Sequence, residues 1–434
     1  MNLVSKTYWL GTPFNMRRPP SVDYASESLL LKAPDGREHR GVLWTSRKVP
    51  KPKTGAVFMH PRADFQHHYV VPRLVEAGIA ALGATTRNPN NDTTTVHEEI
   101  ILDVASCIAE LKKRGVQNIV LIGNSGGGAL NGFYQAQALK EKGRRIATTP
   151  GGRPTRLNQV EMIPADAMIY LAAHKGEGMI MNEVIDPSVV DEHQPFLTDP
   201  ALDMYDEANG FLTPSQLDAS DAQWCRYDDA FVQRFRAAQR ARVARIDAVA
   251  RGLIAENARA EQLHADPDFA RLAPAKQREV LRREAFEPIM TIYRTMANLH
   301  YVDNHLDPSP RDYGSILSPR TDLMNWKLLG FGRYATPHAW LSTWSGLSSH
   351  ANQMTDLPQI GTPTLFINAG KDQEIFPVTD AKAMFDAVAA KDKTFVNFEG
   401  AQHYFNPPFG QRDAPDVETV MDTVVPWILE RFGT

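Results

Sequence analysis

The sequence predicts an α/β protein whose central, mostly parallel sheet carries helices on both faces and is interrupted by an inserted helical cap. Short apolar runs alternate with amphipathic stretches over residues 28–174 and again from residue 362, a pattern typical of βαβ units. Residues 175–350 lack this strand pattern and contain long helical stretches instead. We therefore predict an N-terminal arm over residues 1–27, a sheet domain over 28–174 and 351–434, and a cap over 175–350.

Each predicted strand is a short apolar run, and each predicted helix has apolar residues at helical spacing, as at Ile101, Val104 and Ile108. The expected strands are Ser28–Lys32, Gly41–Trp44, Ala56–His60, Ile79–Thr85, Asn118–Ile122, Ala167–Ala173, Thr364–Asn368 and Thr394–Phe398. The expected helices are Tyr69–Glu76, Glu98–Arg114, Asp229–Gln262, Gln277–Leu299, Val378–Ala390 and Val417–Phe432, with one more running through Leu139 after a glycine-rich turn.

Composition excludes several classes of protein. The chain has 434 residues, of which 43% are hydrophobic and 23% charged, so it is neither disordered nor collagen-like. A formal charge of −4 lacks the basic excess that nucleic-acid binding requires. The sequence shows no apolar run long enough for a signal peptide or a membrane span, so we expect a cytoplasmic protein without a membrane partner.

The two cysteines and the arginine-rich helix receive structural interpretations. Cys107 and Cys225 are far apart and lack C-x-x-C spacing, which indicates neither a disulfide framework nor a zinc site. The arginines of the predicted helix Asp229–Gln262 are interpreted as a solvated face, because they interleave with apolar residues. That set comprises Arg240, Arg242, Arg245 and Arg251.

The strongest motif lies in residues 118–130, which read NIVLIGNSGGGAL. Residues 123–127 match G-x-S-x-G, directly after a predicted strand and directly before a predicted helix. A nucleophile elbow occupies this position, because a tight strand-to-helix turn lifts the serine hydroxyl to the edge of the sheet. A dinucleotide-binding loop is disfavoured, since Ser125 stands where that motif requires glycine. We therefore predict that Ser125 is a nucleophile.

A serine nucleophile needs a base, and the base needs a carboxylate to orient it. Asp372 follows the strand Thr364–Asn368, and His403 follows the strand Thr394–Phe398. Because these loops leave successive parallel strands, Asp372 and His403 are expected to meet Ser125 at one edge of the sheet. Glu374 remains an alternative acid, two residues beyond Asp372.

The oxyanion hole needs two backbone N–H groups beside the serine. We assign one to Gly126 and the other to the loop after Ala56–His60. Pro61 has no N–H, so Arg62 is the better donor there and Ala63 the next. His60 is interpreted mainly as a residue that holds this loop, with a second base and substrate binding as alternatives.

Further candidate substrate-binding residues flank the predicted cap. His174 ends the strand Ala167–Ala173 at the same sheet edge, where it could bind substrate or anchor a loop. Trp340 and Trp344 belong to an aromatic group within residues 325–350 that could line an apolar pocket, fill the cap core or form a homodimer interface. Residues 176–178, Gly-Glu-Gly, are expected to form a flexible hinge.

These motifs resemble the α/β-hydrolase superfamily over residues 28–174 and 355–432, with a cap between. The resemblance implies a catalytic sheet domain and a serine hydrolase that cleaves a carboxylic ester, or related acyl compound, of a small molecule. The sequence departs from the family at His60-Pro61, where a His-Gly pair is usual. No metal or cofactor motif is present, so neither is implied.

Two other readings of the same residues stay open. The triad would equally serve cleavage of a lactone, an amide or a carbon–carbon bond beside a ketone, since all proceed through oxyanion-stabilised addition. The scaffold could also bind a ligand without catalysis, because a fold does not fix function.

Overall fold

The computed structural model describes residues 13–220, 222–407 and 413–433, so part of the predicted N-terminal arm and a few residues near the C-terminus lie outside it. The strands are β1 (Tyr24–Lys32), β2 (Glu38–Ser46), β3 (Thr54–Met59), β4 (Ala80–Ala84), β5 (Asn118–Asn124), β6 (Ala167–Leu171), β7 (Met290–Thr291), β8 (Tyr334–Ala335), β9 (Thr364–Ala369) and β10 (Lys393–Phe398). The helices are α1 (Val71–Glu76), α2 (His97–Lys113), α3 (Gly126–Ala138), α4 (Glu177–Val184), α5 (Pro214–Ser220), α6 (Asp229–Ala265), α7 (Pro274–Ala285), α8 (Thr321–Met324), α9 (Pro337–Ala339), α10 (Gln353–Asp356), α11 (Ala383–Ala387) and α12 (Pro415–Phe432).

Eight of these strands form one twisted sheet in the order β1-β2-β4-β3-β5-β6-β9-β10. Strand β2 pairs antiparallel with β1 and β4, whereas all the other neighbours pair in parallel. The predicted α/β fold with a mostly parallel central sheet is thus confirmed. Because β5, β6, β9 and β10 run in the same direction, the loops at their carboxyl ends share one edge of the sheet.

Apolar residues cover both faces of this sheet. One cluster joins the sheet to α2, α3 and α11, and contains Ile108 and Phe133. The other joins the opposite face to α1 and α12, and contains Val71 and Ile428. The central strands β3, β4, β5, β6 and β9 are nearly or fully buried, as expected for parallel strands covered on both sides.

The chain between β6 and β9 is mainly helical and has an apolar cluster of its own. The 37-residue helix α6 contributes Phe231, Phe235 and Val243 to this cluster, and Trp340 and Trp344 lie in it as well. One member, Phe376, comes from the loop that follows β9. The division into a sheet domain and a cap over residues 175–350 remains a proposal.

Three local predictions differ from the structure, two of them in the extent or type of a helix and one in the burial of an arginine. The expected helix Gln277–Leu299 ends at Ala285, because Pro288 follows closely and cannot continue a helix. The expected helix Val378–Ala390 begins as a π-helical turn at Pro377 and leaves helical geometry at Val388. Arg242 is not on a solvated face: it is 1% exposed and its guanidinium binds Glu192 and backbone carbonyls.

Both cysteines are free thiols that belong to apolar clusters, Cys107 on α2 and Cys225 in the loop before α6. Burial raises the pKa of each thiol above its usual range. None of the helices in the described ranges combines the length and apolar character needed to cross a bilayer.

Candidate active site

Ser125 stands between β5 and α3, so its position is fixed by a sharp strand-to-helix turn. Its backbone has φ 53° and ψ −127°, a conformation that a residue with a side chain rarely adopts. The preceding Asn124 holds the turn in place, since its Nδ2 donates to the Leu171 carbonyl at 2.7 Å and its Oδ1 lies 3.1 Å from Nε2 of His68. The strain at Ser125 is therefore stabilised by hydrogen bonds on the preceding residue.

Gly126 lacks a side chain at a point where three polar groups converge. A Cβ atom there would lie 2.6 Å from Oε1 of Glu177, 2.9 Å from Nε2 of His60 and 3.0 Å from Nε2 of His174. A side chain at residue 126 would therefore have to displace these three groups. The turn also sets the first N–H groups of α3 beside the serine, where the helix dipole favours negative charge.

The three residues predicted as a triad lie in one hydrogen-bonded chain. Oγ of Ser125 is 2.9 Å from Nε2 of His403, and Nδ1 of His403 is 2.6 Å from Oδ2 of Asp372. His403 and Asp372 are 3% and 0% exposed, so the chain is shielded from water. With the Nδ1 proton donated to Asp372, the Nε2 lone pair is free to accept the serine proton.

Of the two candidate acids, Asp372 contacts His403. Its other oxygen, Oδ1, accepts the backbone N–H groups of Glu374 and Ile375 at 2.8 and 3.0 Å, which fixes the carboxylate. The Glu374 carboxylate faces elsewhere and accepts the hydroxyl of Tyr301 at 2.6 Å. The sequence alone could not separate these acids, because both lie in the same loop.

The prediction of Arg62 as a backbone oxyanion donor does not agree with the geometry. The N–H groups of Arg62 and Ala63 both donate to Nδ1 of His60, at 3.1 and 3.0 Å. Neither group is therefore free to bind a substrate oxygen in this conformation. The expectation that His60 holds the loop agrees with these two bonds.

The same two bonds determine where His60 carries its proton. Burial, reinforced by the nearby Arg62 charge, lowers the pKa of His60 well below its usual value, so the ring is neutral. Because Nδ1 accepts two hydrogen bonds, the proton of the neutral ring lies on Nε2. That nitrogen faces Gly126, directly beside Ser125.

The other candidate substrate residues have separate positions. His174 lies next to the elbow: its Nδ1 accepts the N–H of Gly176 at 3.0 Å, which leaves Nε2 towards Gly126. Trp344 stacks on the Arg62 guanidinium at 5.2 Å and so borders the site. Trp340 is buried in the core of the helical segment, where its N–H donates to Asp247 at 2.7 Å. We therefore withdraw Trp340 as a substrate-binding candidate.

Three residues near the elbow were missed by the sequence reading. Glu177 was placed in a flexible hinge, yet it begins α4, is 2% exposed and lies against Gly126. His97, the first residue of α2, lies 3.7 Å from Glu177. The Tyr404 ring packs edge-on against the His403 ring at 4.5 Å, and burial raises the pKa of its phenol to about 12. Only Tyr404 had a sequence signal, its position next to His403.

Among the described residues, no group of three or more histidine, cysteine, aspartate or glutamate side chains is spaced to hold a metal ion. The imidazoles nearest Glu177 are 3.6–3.7 Å from its oxygens, and the Arg62 guanidinium lies equally near.

Comparisons with known proteins returned only distant structural similarity. No family model and no curated protein sequence matches the chain. The esterase domain of a Rhodothermus marinus protein aligns with 94% of this chain and 100% of its own, at 11% identity and TM-score 0.43. Est1E from Butyrivibrio proteoclasticus aligns with 93% of this chain and 98% of its own, at 11% identity and TM-score 0.43. The alpha/beta hydrolase GrgF from Penicillium sp. sh18 aligns with 94% of this chain and 100% of its own, at 13% identity and TM-score 0.44.

Proposed function

We propose that this chain, which has the α/β-hydrolase fold, is a serine hydrolase that cleaves a carboxylic ester of a small organic molecule. The observation that carries the proposal is the hydrogen-bonded chain from Asp372 through His403 to Ser125. A serine in a strained turn at the end of a parallel strand, followed in the chain by an aspartate and a histidine, is the constellation used for acyl transfer in this fold.

The first half of the reaction forms an acyl-enzyme. Nε2 of His403 takes the proton from Ser125, and Oγ attacks the carbonyl carbon of the ester. Asp372 accepts the Nδ1 proton of His403 in a hydrogen bond and stabilises the positive charge on the ring. The tetrahedral intermediate then collapses, the C–O bond to the alcohol breaks, and the alcohol leaves with the proton held by His403. Water, deprotonated by His403, releases the acid in the second half.

The oxyanion of the tetrahedral intermediate needs two donors, and we assign them to the N–H of Gly126 and the Nε2–H of His60. The Arg62 and Ala63 amides are engaged by Nδ1 of His60 and keep its proton on Nε2. A neutral imidazole donor has the advantage that it adds no positive charge to the site. The positive charge that develops on His403, which Asp372 stabilises, is therefore not opposed by a second cation.

The test is covalent labelling combined with turnover. Reaction with a fluorophosphonate probe, followed by mass spectrometry, is expected to modify Ser125, and Ser125→Ala is expected to abolish both labelling and hydrolysis. A panel of nitrophenyl esters of increasing acyl length then measures the size of the acyl pocket. If the folded protein is not labelled at Ser125, that result would contradict the proposal and favour a non-catalytic scaffold.

Labelling of Ser125 without ester turnover would have a different meaning. The nucleophile would then be active, and the ester would be the wrong substrate class. That outcome would favour the lactone, amide or carbon–carbon alternatives, which use the same triad.

A further inference from the structure

A buried carboxylate beside the nucleophile has no hydrogen-bond partner. Glu177 is 2% exposed, and neither of its carboxylate oxygens forms a hydrogen bond within the described part of the chain. Burial by itself would raise the pKa of Glu177, but His174, His97 and Arg62 together lower it below its usual range, so the side chain is charged. A charged, buried and unbonded carboxylate is costly, and its retention next to a reactive serine indicates a ligand.

The groups around Glu177 stand just beyond hydrogen-bond distance. Nε of Arg62 is 3.7 Å and Nε2 of His174 is 3.6 Å from Oε1, while Nε2 of His97 is 3.7 Å from Oε2. Nε of Arg62 and Nε2 of His97 are themselves buried without a partner. Each of these three contacts is thus slightly too long for a hydrogen bond. Nε of Arg62, Nε2 of His97 and both Glu177 oxygens therefore lack hydrogen-bond partners.

The polar atoms around this site include both donors and acceptors, the acceptors being the two carboxylate oxygens of Glu177. Arg62 Nε–H is a donor, and so is Nε2 of His174, because its Nδ1 accepts the N–H of Gly176. The hydroxyl of Thr343 donates to the Thr95 carbonyl and so accepts from Nδ1–H of His97. Burial lowers the pKa of His97, and its Nε2 faces the acceptor Oε2 of Glu177 at 3.7 Å.

A hydroxyl group can satisfy both kinds of atom at once, because it donates one hydrogen bond and accepts others. An ammonium group cannot, since it has no acceptor for Arg62 and would lie close to the guanidinium charge. An ether oxygen cannot either, since it has no proton for Glu177. The chemistry of the cluster is therefore that of a hydroxyl site.

The position of the cluster determines which hydroxyl reaches it. Oε1 of Glu177 lies 2.6 Å from where a Cβ of Gly126 would be, and the N–H of Gly126 is the proposed oxyanion donor. A group bound at Glu177 is thus only a few bonds from the reacting carbonyl. We infer that Glu177, with Arg62, His97 and His174, forms a subsite for a hydroxyl carried two or three carbons along the acyl chain, so that the substrate is a hydroxyacyl ester.

This inference rests on the proposed ester hydrolysis and is tested by paired substrates. For the acyl length that the ester panel favours, the 2-hydroxy and 3-hydroxy esters are compared with their methoxy counterparts and with the 2-amino ester. The wild-type protein is expected to prefer one hydroxy ester over its methoxy partner in kcat/KM by roughly 10- to 100-fold, the usual worth of a hydrogen bond to a charged group. In Glu177→Gln this ratio is expected to fall towards one.

Glu183→Gln is the matched control, since Glu183 lies on the same helix but binds Lys175; it should keep the wild-type ratio. Fluorophosphonate labelling of Ser125 is measured in each variant to confirm that the triad is intact. A wild-type ratio near one, with plain esters turned over and Ser125 labelled, would overturn the subsite and leave the hydrolase standing. Preference for the amino ester would overturn it as well, as would Glu177→Gln lowering kcat/KM equally for both partners. If no ester is turned over, both proposals fail.

Discussion

His60 has its two ring nitrogens in different surroundings, and this asymmetry gives the residue two separable tasks. Nδ1 organises the loop after β3 by accepting two backbone N–H groups. Nε2 faces the elbow, where a proton donor is useful only when negative charge develops on the substrate. A substitution that keeps one nitrogen position and removes the other should therefore separate structure from catalysis.

Replacing His60 with asparagine is expected to lower kcat by roughly 10²- to 10³-fold, the usual loss when one oxyanion donor is removed. The amide oxygen of asparagine can take the place of Nδ1 and hold the loop, but nothing then reaches Gly126. His60→Gln, whose amide nitrogen can approach the Nε2 position, should recover part of kcat. Steady-state kinetics with the best nitrophenyl ester measures both. A stable His60→Asn protein with wild-type kcat would show that the residue acts only on the loop.

Ser125, Asp372 and His403 could be predicted from the sequence because each lies in the turn or loop after a strand of the parallel sheet. The carboxyl ends of such strands lie together whatever else the chain does, so position in the pattern was sufficient. Glu177 and His97 could not be found in this way, since they begin helices and meet only because the segment after β6 folds back against α2. The hydrogen bond from the Arg62 N–H to Nδ1 of His60 could not be predicted either, because a turn within four residues leaves no periodic pattern.

At the scale of elements, the short helix α10 contains an aspartate whose ionisation is opposed by burial. Asp356 is its last residue, is 3% exposed and has one carboxylate oxygen without a partner. Burial raises the pKa of Asp356 to about 8. Between pH 4 and 8 the folded protein therefore binds a proton there that the unfolded chain has released, and stability falls as pH rises through this range.

Asp356→Asn removes that proton linkage, because the amide is neutral in both states. The free energy of unfolding of the wild type, measured by urea titration, is expected to fall by about 2 kcal/mol more than that of the variant between pH 5 and 7. Asp218→Asn, at an exposed position on α5, serves as the control for an amide replacement. Parallel pH profiles for wild type and Asp356→Asn would contradict the assignment.

Element types were predicted better than their ends. The sheet strands and the long helices follow periods of two and 3.6 residues, which a sequence displays directly. The end of α7 and the π-helical turn after Phe376 depend on Pro288 and Pro377 and on tertiary contacts. A proline in the sequence shows that a periodic pattern is interrupted, but it does not show which local structure follows. Arg242 was misplaced because its burial depends on Glu192, a partner 50 residues away.

At the scale of the whole molecule, the loop that bears Asp372 connects the central sheet with the apolar cluster of the helical segment. It leaves β9 in the sheet, yet Phe376 is fully buried in the apolar cluster of the helical segment and stacks on His300 at 4.3 Å. Gln373 in the same loop donates to carbonyls of Asp312 and Gly314. The helical segment thus helps to position the acid of the triad.

Phe376→Ala is expected to lower stability by roughly 3–5 kcal/mol and also to reduce kcat at least tenfold, because the Asp372 loop loses its anchor. Phe235→Ala is the matched control: it removes a side chain of the same size from the same cluster, at a position on α6 and outside that loop. Unfolding free energies and kcat are measured for both variants below their melting temperatures. Equal kcat values in the two variants would show that the acid loop does not depend on this contact.

The burial of both native cysteines makes the protein a convenient object for optical spectroscopy. Since Cys107 and Cys225 are enclosed, maleimide dyes should react with cysteines introduced at exposed sites and leave the native thiols alone. Leu30 on β1 and Leu328 in the helical segment are 66% and 70% exposed. A dye pair at these two positions would turn movement of the segment over the sheet into a change in Förster transfer efficiency, recorded molecule by molecule while ester is consumed.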